Sequence, residues 1–287
     1  MPLRLGRRTF DDDALLVMAI INRTPDSFYD KGATFEDAPA MAAVVRASDE
    51  GADIVDIGGV KAGPGDEGDA QEELRRVVPF VAAVRAAHPD VVISVDTWRA
   101  EVARACLAEG ADVVNDAWGG PDPEIFDATA GGNGAIVCTH AGGVTPRTRP
   151  HRISYDDVVV DVIDTIVGLA ERAVAAGVDR ESVLIDPGHD FGKNSWHSLE
   201  VTRRLTELVD TGWPVLVSLS NKDFVGEALD RAVPDRLVGT LATTSISAWL
   251  GARVFRAHNV RETRDSLDMV ATIRGDRLPS YTRRGLA

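Results

Sequence analysis

The sequence predicts one α/β domain spanning residues 1–287, folded as a (β/α)8 TIM barrel, and three observations carry this. Short apolar runs alternate with stretches of helical spacing about eight times, over a length typical of such barrels. Each run stops at a polar residue just before a turn: Ile54-Val55-Asp56 before Gly58-Gly59, Val113-Val114-Asn115-Asp116 before Gly119-Gly120, Val183-Leu184-Ile185-Asp186 before Pro187-Gly188. No Pro/Ser-rich or charge-block linker divides the chain. A doubly wound open sheet is the competing architecture. It would need a crevice where strand order reverses, and no Gly-x-Gly-x-x-Gly turn follows the first run.

The first apolar run is Ala14 to Ile21, ending at Asn22. Glu36 to Gly51 has helical spacing and stops at a glycine, the usual helix terminator. Asp53 to Ile57 is the next strand, followed by a Gly/Pro loop from Gly58 to Gly68 and a helix from Ala70 to Ala87. Val91 to Val95 leads into a helix over Arg99 to Glu109. Val113–Val114, Ala135–Thr139, Val183–Ile185, Pro214–Leu219 and Ala252–Phe255 complete the strands, and the longest helix is Tyr155 to Ala176. Asp235 to Leu250 and Arg261 to Arg274 are apolar helices at the end of the chain, which core burial or a homodimer surface would equally explain.

Composition sets further bounds. Apolar residues at 44% suffice for a large core, and a net charge of -14 argues against a nucleic-acid surface. An anionic ligand would therefore need a locally positive site. Cys106 and Cys138 lack metal-ligand spacing and read as buried free thiols in a reducing compartment. No apolar run approaches the ~18 residues of a membrane span. A cytoplasmic protein without a membrane partner is the expectation.

In a barrel, Asn22, Asp56, Asp96, Asn115, Thr139, His140, Asp186, Lys222, Arg256 and His258 converge on one mouth. A single Asp or Asn after a strand is more often a turn or cap residue than a ligand contact. So many at the same end of successive units point to a site. Asp96, Asn115, Asp186 and Lys222 combine acceptors and donors in a way that suits a flat polar heterocycle. Arg256 and His258, one residue apart on a strand, face one side and can hold an anion.

These fragments together resemble the dihydropteroate synthases, pterin-binding barrels that join a dihydropterin diphosphate to p-aminobenzoate with magnesium assistance. The likeness runs from about Leu16 to His258. Asn22-x-Thr24-Pro25-Asp26-Ser27-Phe28, Asp56-Ile57-Gly58-Gly59, Ser94-Val95-Asp96-Thr97, Asn115-Asp116, Asp186-Pro187-Gly188-x-x-Phe191-Gly192-Lys193 and Arg256-x-His258 match its signatures in order. The resemblance implies that Asp96, Asn115, Asp186, Phe191, Lys222 and Arg256 bind the pterin. It implies that Asn22, Arg256 and His258 bind the pyrophosphate, Asn22 through Mg2+, and that the protein is a homodimer.

The acceptor half departs from the family pattern. Where the family reads Glu-Ser-Thr-Arg-Pro-Gly, this chain has Val60-Lys61-Ala62-Gly63-Pro64-Gly65, so Ala62 replaces a hydroxyl and Gly63 an arginine. Lys61 restores a charge two positions away but lacks the planar fork. Asp223 stands where the family carries a serine that helps hold the p-aminobenzoate carboxylate at a helix start, and as a cap it could fill the anion position itself. His189 and Asp190 replace the usual Ile and Gly. The expectation is a homologue with a partly retained pterin and pyrophosphate pocket and a degraded p-aminobenzoate site, Lys61, Ala62, Gly63 and Asp223, with lost or severely reduced synthase activity. Two other readings fit the same residues. One is a working synthase in which Lys61 or Lys31 supplies the missing cation. The other is a non-catalytic pterin or sulfone binder, or a regulatory protein.

Overall fold

The computed structural model of the chain describes residues 1–24, 34, 36–60, 68–143, 145–148 and 154–285. Eight parallel strands form one sheet: β3 (Leu16–Asn22), β4 (Ile54–Gly58), β5 (Val92–Asp96), β6 (Val113–Asp116), β7 (Ala135–Thr139), β8 (Val183–Asp186), β9 (Leu216–Ser218) and β10 (Val254–Ala257). Neighbours follow chain order from β3 to β8, and β10 pairs with both β3 and β9. Between β8 and β9 the ring is completed by one bridge, Ile185 to Val215, with the Ile185 N–H donating to the Pro214 carbonyl at 3.0 Å. This is the TIM barrel expected from the alternation.

The helices are α1 (Asp37–Asp49), α2 (Ala70–Ala87), α3 (Ala100–Ala108), α4 (Ile125–Gly131), α5 (Val158–Ala175), α6 (Ser195–Arg203), α7 (Leu205–Val209), α8 (Asp223–Leu229), α9 (Leu237–Trp249) and α10 (Val260–Arg274). Their starts show local chemistry at work. The Asp69 carboxylate accepts the Gln71 N–H at the start of α2, and Asp157 accepts from Val159 and Val160 at the start of α5.

Strand periodicity explains where the chemistry lies. Successive side chains point to opposite faces, so one parity of each strand lines the interior and the other meets the helices. Leu16, Met18, Ile54, Val92, Val113, Ala135, Val137, Leu184, Leu216 and Val254 share an inner cluster, while Val17, Val55, Ile93, Val114, Ile136, Ile185, Val217 and Phe255 belong to the layer against the helices. Carrying the inner parity to the strand ends gives Asn22, Asp56, Ser94, Asp96, Asn115, Thr139, Asp186, Ser218 and Arg256. The apolar floor and the polar mouth are the same face of the same strands.

A feature beyond the expected units is the antiparallel hairpin of β1 (Leu3–Leu5) and β2 (Arg8–Phe10), with Leu3 opposite Phe10. Leu3, Leu5 and Phe10 join the inner cluster, so the hairpin seals the floor of the barrel. The signal was the alternation of Leu3, Leu5 and Phe10 with Arg4 and Arg8, too short to stand out beside the longer runs.

Candidate functional site at the barrel mouth

Asp56 organises one side of the mouth. Fully buried on β4, it accepts from the Ser94 hydroxyl at 2.6 Å on one oxygen, and from Asn115 Nδ2 at 3.1 Å and Arg256 Nε at 2.6 Å on the other. Arg256 also donates from Nη2 to Asp96 Oδ2 at 3.0 Å. Asp96, Asn115 and Arg256, which the family resemblance implies for a ring ligand, are thus brought together: Asp56 holds Asn115 and Arg256 directly, and Arg256 in turn holds Asp96. Asp56 appears in the sequence only as one strand-end acid among several. Its orienting role comes from the register that sets β4 beside β5, which no short motif encodes.

The charges are balanced tightly. Burial pushes the Asp96 carboxyl up to about 7, with Arg256 pulling the other way and Asp56 adding repulsion. Burial also works against the Arg256 guanidinium, but Asp56 and Asp96 outweigh it and raise its pKa. Asp116 has the opposite parity to Asn115 and does not enter the mouth. Its carboxylate accepts from the Trp118 and Gly120 N–H groups at 3.0 and 2.6 Å and so shapes the turn after β6.

The other side is built by the loops after β8 and β9. Asp186 Oδ1 accepts the Gly188 N–H at 2.7 Å, and burial raises its pKa. Lys222, the residue before α8, donates to the His189 carbonyl, and its ammonium lies 4.9 Å from the centre of the Phe191 ring. Burial lowers the Lys222 pKa, while Asp190 and Asp186 oppose the shift. Trp118 packs edge-on against Phe191 with centroids 5.2 Å apart, and Trp98 stands edge-on to Trp118 at 6.2 Å. Phe191, Trp118 and Trp98 therefore form one run of edge-on aromatic rings beside the mouth.

Asn22 ends β3 opposite Gly58, and its carbonyl accepts from the Thr34 hydroxyl at 2.6 Å. His258 follows β10, with Nδ1 3.0 Å from the Ser220 hydroxyl. Both stand at the rim beside the Asp56 network. Among the described residues, no group of three His, Cys, Asp or Glu side chains is placed to hold a metal ion. Lys61, Ala62 and Gly63 lie outside the described residues, as do Lys31 and the segment Pro25 to Phe28.

One expectation is corrected. Asp223 does not cap α8 with its own side chain: its carboxylate is 79% exposed and pairs with Arg236 Nη1 at 2.9 Å. The cap comes from Asp190, whose Oδ2 accepts the N–H groups of Asp223 at 2.7 Å and Phe224 at 3.3 Å. Ser198 Oγ donates to the other Asp190 oxygen at 3.1 Å and accepts the Asp190 N–H at 3.2 Å. Asp190 adopts a positive φ of 66°, a region that Asp tolerates better than most residues. The modest cost of that backbone is offset by a carboxylate seated on two helix-start amides. Only the three-dimensional fold brings residue 190 to residue 223.

Comparison with known proteins places these features in context. A family model described as pterin binding enzyme matches residues 18–258. The chain is 57% identical over 279 residues to a Mycobacterium leprae protein named inactive dihydropteroate synthase 2, covering 96% of each. It is 36% identical to the Haemophilus influenzae dihydropteroate synthase, covering 93% of this chain and 97% of that one. A solved structure of the Yersinia pestis dihydropteroate synthase with a sulfonamide drug complex superposes with a TM-score of 0.91 at 36% identity, over 96% of this chain and all of the other.

Proposed function

The chain belongs to the dihydropteroate synthase family of pterin-binding enzymes, and from that premise we propose that it retains a pterin pocket but has lost most or all synthase activity. Asp96, Asn115, Asp186 and Lys222 offer the paired acceptors and donors that a flat amide-bearing ring requires, with Phe191 as its wall. Arg256 serves the ring side and the diphosphate side together, joined on the latter by Asn22 and His258. The Asn22 amide oxygen fits a magnesium ion that takes its remaining ligands from a diphosphate and water, the usual habit of that ion. When bound, such an ion would supply charge neutralisation to the leaving group.

The observation that carries the reading is Asp190. Family resemblance puts the p-aminobenzoate carboxylate at the start of α8, and there the chain seats a carboxylate of its own on the Asp223 and Phe224 amides. A second anion would find those donors satisfied and a like charge beside them. The name of the Mycobacterium leprae relative agrees with this. Calorimetry separates the halves of the site. The pterin diphosphate and pteroic acid should give saturable heats, whereas p-aminobenzoate, with or without the diphosphate present, should give none. Saturable p-aminobenzoate binding would favour the working synthase, and absence of any pterin binding would leave the barrel without its proposed ligand. A sulfonamide titration belongs in the same series, since a relative's structure holds one. Saturable pterin or sulfonamide binding with no turnover is the outcome that would favour the binder or regulator.

The family assembly and location extend to this chain on separate grounds. Val238, Ile246 and Trp249 on α9 and Met269 and Ile273 on α10 leave large apolar side chains exposed on two adjacent helices. Pairing of two copies through this face would cover them, and we place the dimer interface there. Trp249→Glu should shift the sedimenting species from twice the chain mass to once. An unmodified chain that sediments as a monomer at micromolar concentration refutes it. Among the described residues no helix is long and apolar enough to cross a membrane, and the unpaired buried Cys106 and Cys138 suit a reducing cytoplasm.

A further inference from the structure

Two titratable groups near the mouth, Lys193 and His140, have no part in the reading above. Lys193 ends the loop after β8 and turns its ammonium inward. Nζ lies 2.6 Å from His140 Nδ1, 3.0 Å from the Phe191 carbonyl, 3.1 Å from that of Gly188 and 3.3 Å from that of His140. His140 Nε2 is 2.8 Å from Asp161 Oδ1 on α5. This arrangement assigns the tautomer: the imidazole donates from Nε2 to the carboxylate and accepts at Nδ1 from the lysine. Burial and the neighbouring Lys193 charge push His140 down to about 4, so it stays neutral in that role.

A second tie runs parallel to the first. The Tyr155 hydroxyl donates to the Gly192 carbonyl at 2.6 Å. Gly188 and Gly192 have φ of 62° and 57°, and a Cβ at either would collide with the carbonyl oxygen of His140 or Ala141. Only glycine permits so close an approach in that conformation. The loop after β8 is therefore strapped to the end of β7, and it holds the Gly188 N–H against Asp186 and the Phe191 ring against Trp118 and Lys222.

We propose that Lys193 is a positioning residue of the ring pocket. By drawing the Gly188 and Phe191 carbonyls onto His140 it sets where Asp186 and Phe191 stand, and ring ligands depend on it through those two residues. The proposal rests on the pterin-pocket reading, but its test includes a measurement that needs no ligand. The groups around Lys193 are Asp186 on β8, Asp190 in the same loop, His140 after β7, Asp161 on α5, Tyr155 before it, His197 on α6 and Lys222 before α8. Burial lowers the amine to about 7. A base depressed in this way binds fewer protons folded than unfolded, so its contribution to stability is complete above the unfolded value of about 10.4 and is lost as pH falls through about 7.

The experiment compares the full chain with its Lys193→Met variant by hydrogen–deuterium exchange, by calorimetry with pteroic acid as the probe, and by urea melts from pH 6.5 to 9.5. Exchange in residues 186–193 should rise at least tenfold in the variant, while residues 92–96 on the far side keep their protection. Pteroic acid should bind at least tenfold more weakly. The stability difference between the two proteins should move in favour of the unmodified chain as pH rises, whereas a lysine that only fills space would leave the two curves parallel. Unchanged exchange in 186–193, or unchanged pteroic acid affinity in a variant whose loop has loosened, overturns the proposal. If the unmodified chain itself binds no pterin, the ring-site reading fails and the exchange result alone decides: a loosened loop supports Lys193, a protected one overturns it. Should Lys193→Met not fold, Asp161→Asn at its half-exposed position carries the test, with at least a threefold rise in exchange expected and no rise overturning it.

Discussion

Arg256→Met is expected to lower the unfolding free energy by about 3–5 kcal/mol, the usual penalty for removing one partner from a buried ion pair. At the size of this chain that is a fall in Tm of roughly 5–8 °C. The guanidinium is the cation bonded to both Asp56 and Asp96, and neither carboxylate is more than 9% exposed. Methionine matches the length of the side chain but donates nothing. The loss should depend on pH. Asp96 already titrates near 7, and without Arg256 its pKa rises further, so at pH 5 the carboxyl is neutral and the variant recovers part of its deficit. Urea melts at pH 5.0 and 8.0 measure both effects. A variant within about 1 kcal/mol of the parent at pH 8 would show that the three groups are solvated rather than locked together.

In a coupled assay with the pterin diphosphate and p-aminobenzoate, turnover should lie roughly a hundredfold to ten-thousandfold below that of a working relative. Ala62 and Gly63 cannot make the hydroxyl and guanidinium contacts that the family pattern implies, each worth about 1.5–3 kcal/mol when charge-assisted. Together they come to about 3–6 kcal/mol, and each 1.36 kcal/mol is tenfold in rate. Asp190 adds repulsion at the start of α8. The combined replacement Ala62→Thr, Gly63→Arg, Asp190→Gly and Asp223→Ser should recover at least tenfold in turnover. Ordinary turnover by the unmodified chain, or rescue of a strain unable to make dihydropteroate, would end the case for an inactive homologue.

Much of the mouth could be read in advance because a parallel barrel ties position along a strand to position in space. An apolar run fixes the parity, parity fixes the face, and the last inward residue before the turn must reach the opening. Asn22, Asp96, Asn115, Asp186 and Arg256 were legible for that reason, and the strand limits moved by only a residue or two. Asp56, Asp190 and Lys193 were harder to see as working parts, since each acts on residues distant in sequence: Asp56 on Arg256, Asp190 on Asp223, Lys193 on His140. Asp223 was misjudged on the same account. A helix start with an acid in its first position reads as self-capped until Arg236 and Asp190 are brought beside it.

The join between β8 and β9 is held by a single backbone bridge, whereas every other pair of neighbours in the barrel shares at least three registered positions. Asp186 hangs from one lip of that gap and Lys222 from the other. A guest bonded to both acts as a rivet across the least stitched part of the cylinder. If the proposed pterin pocket is used in this way, filling it and keeping the ring shut would be one event, and the protein would be sturdiest when loaded.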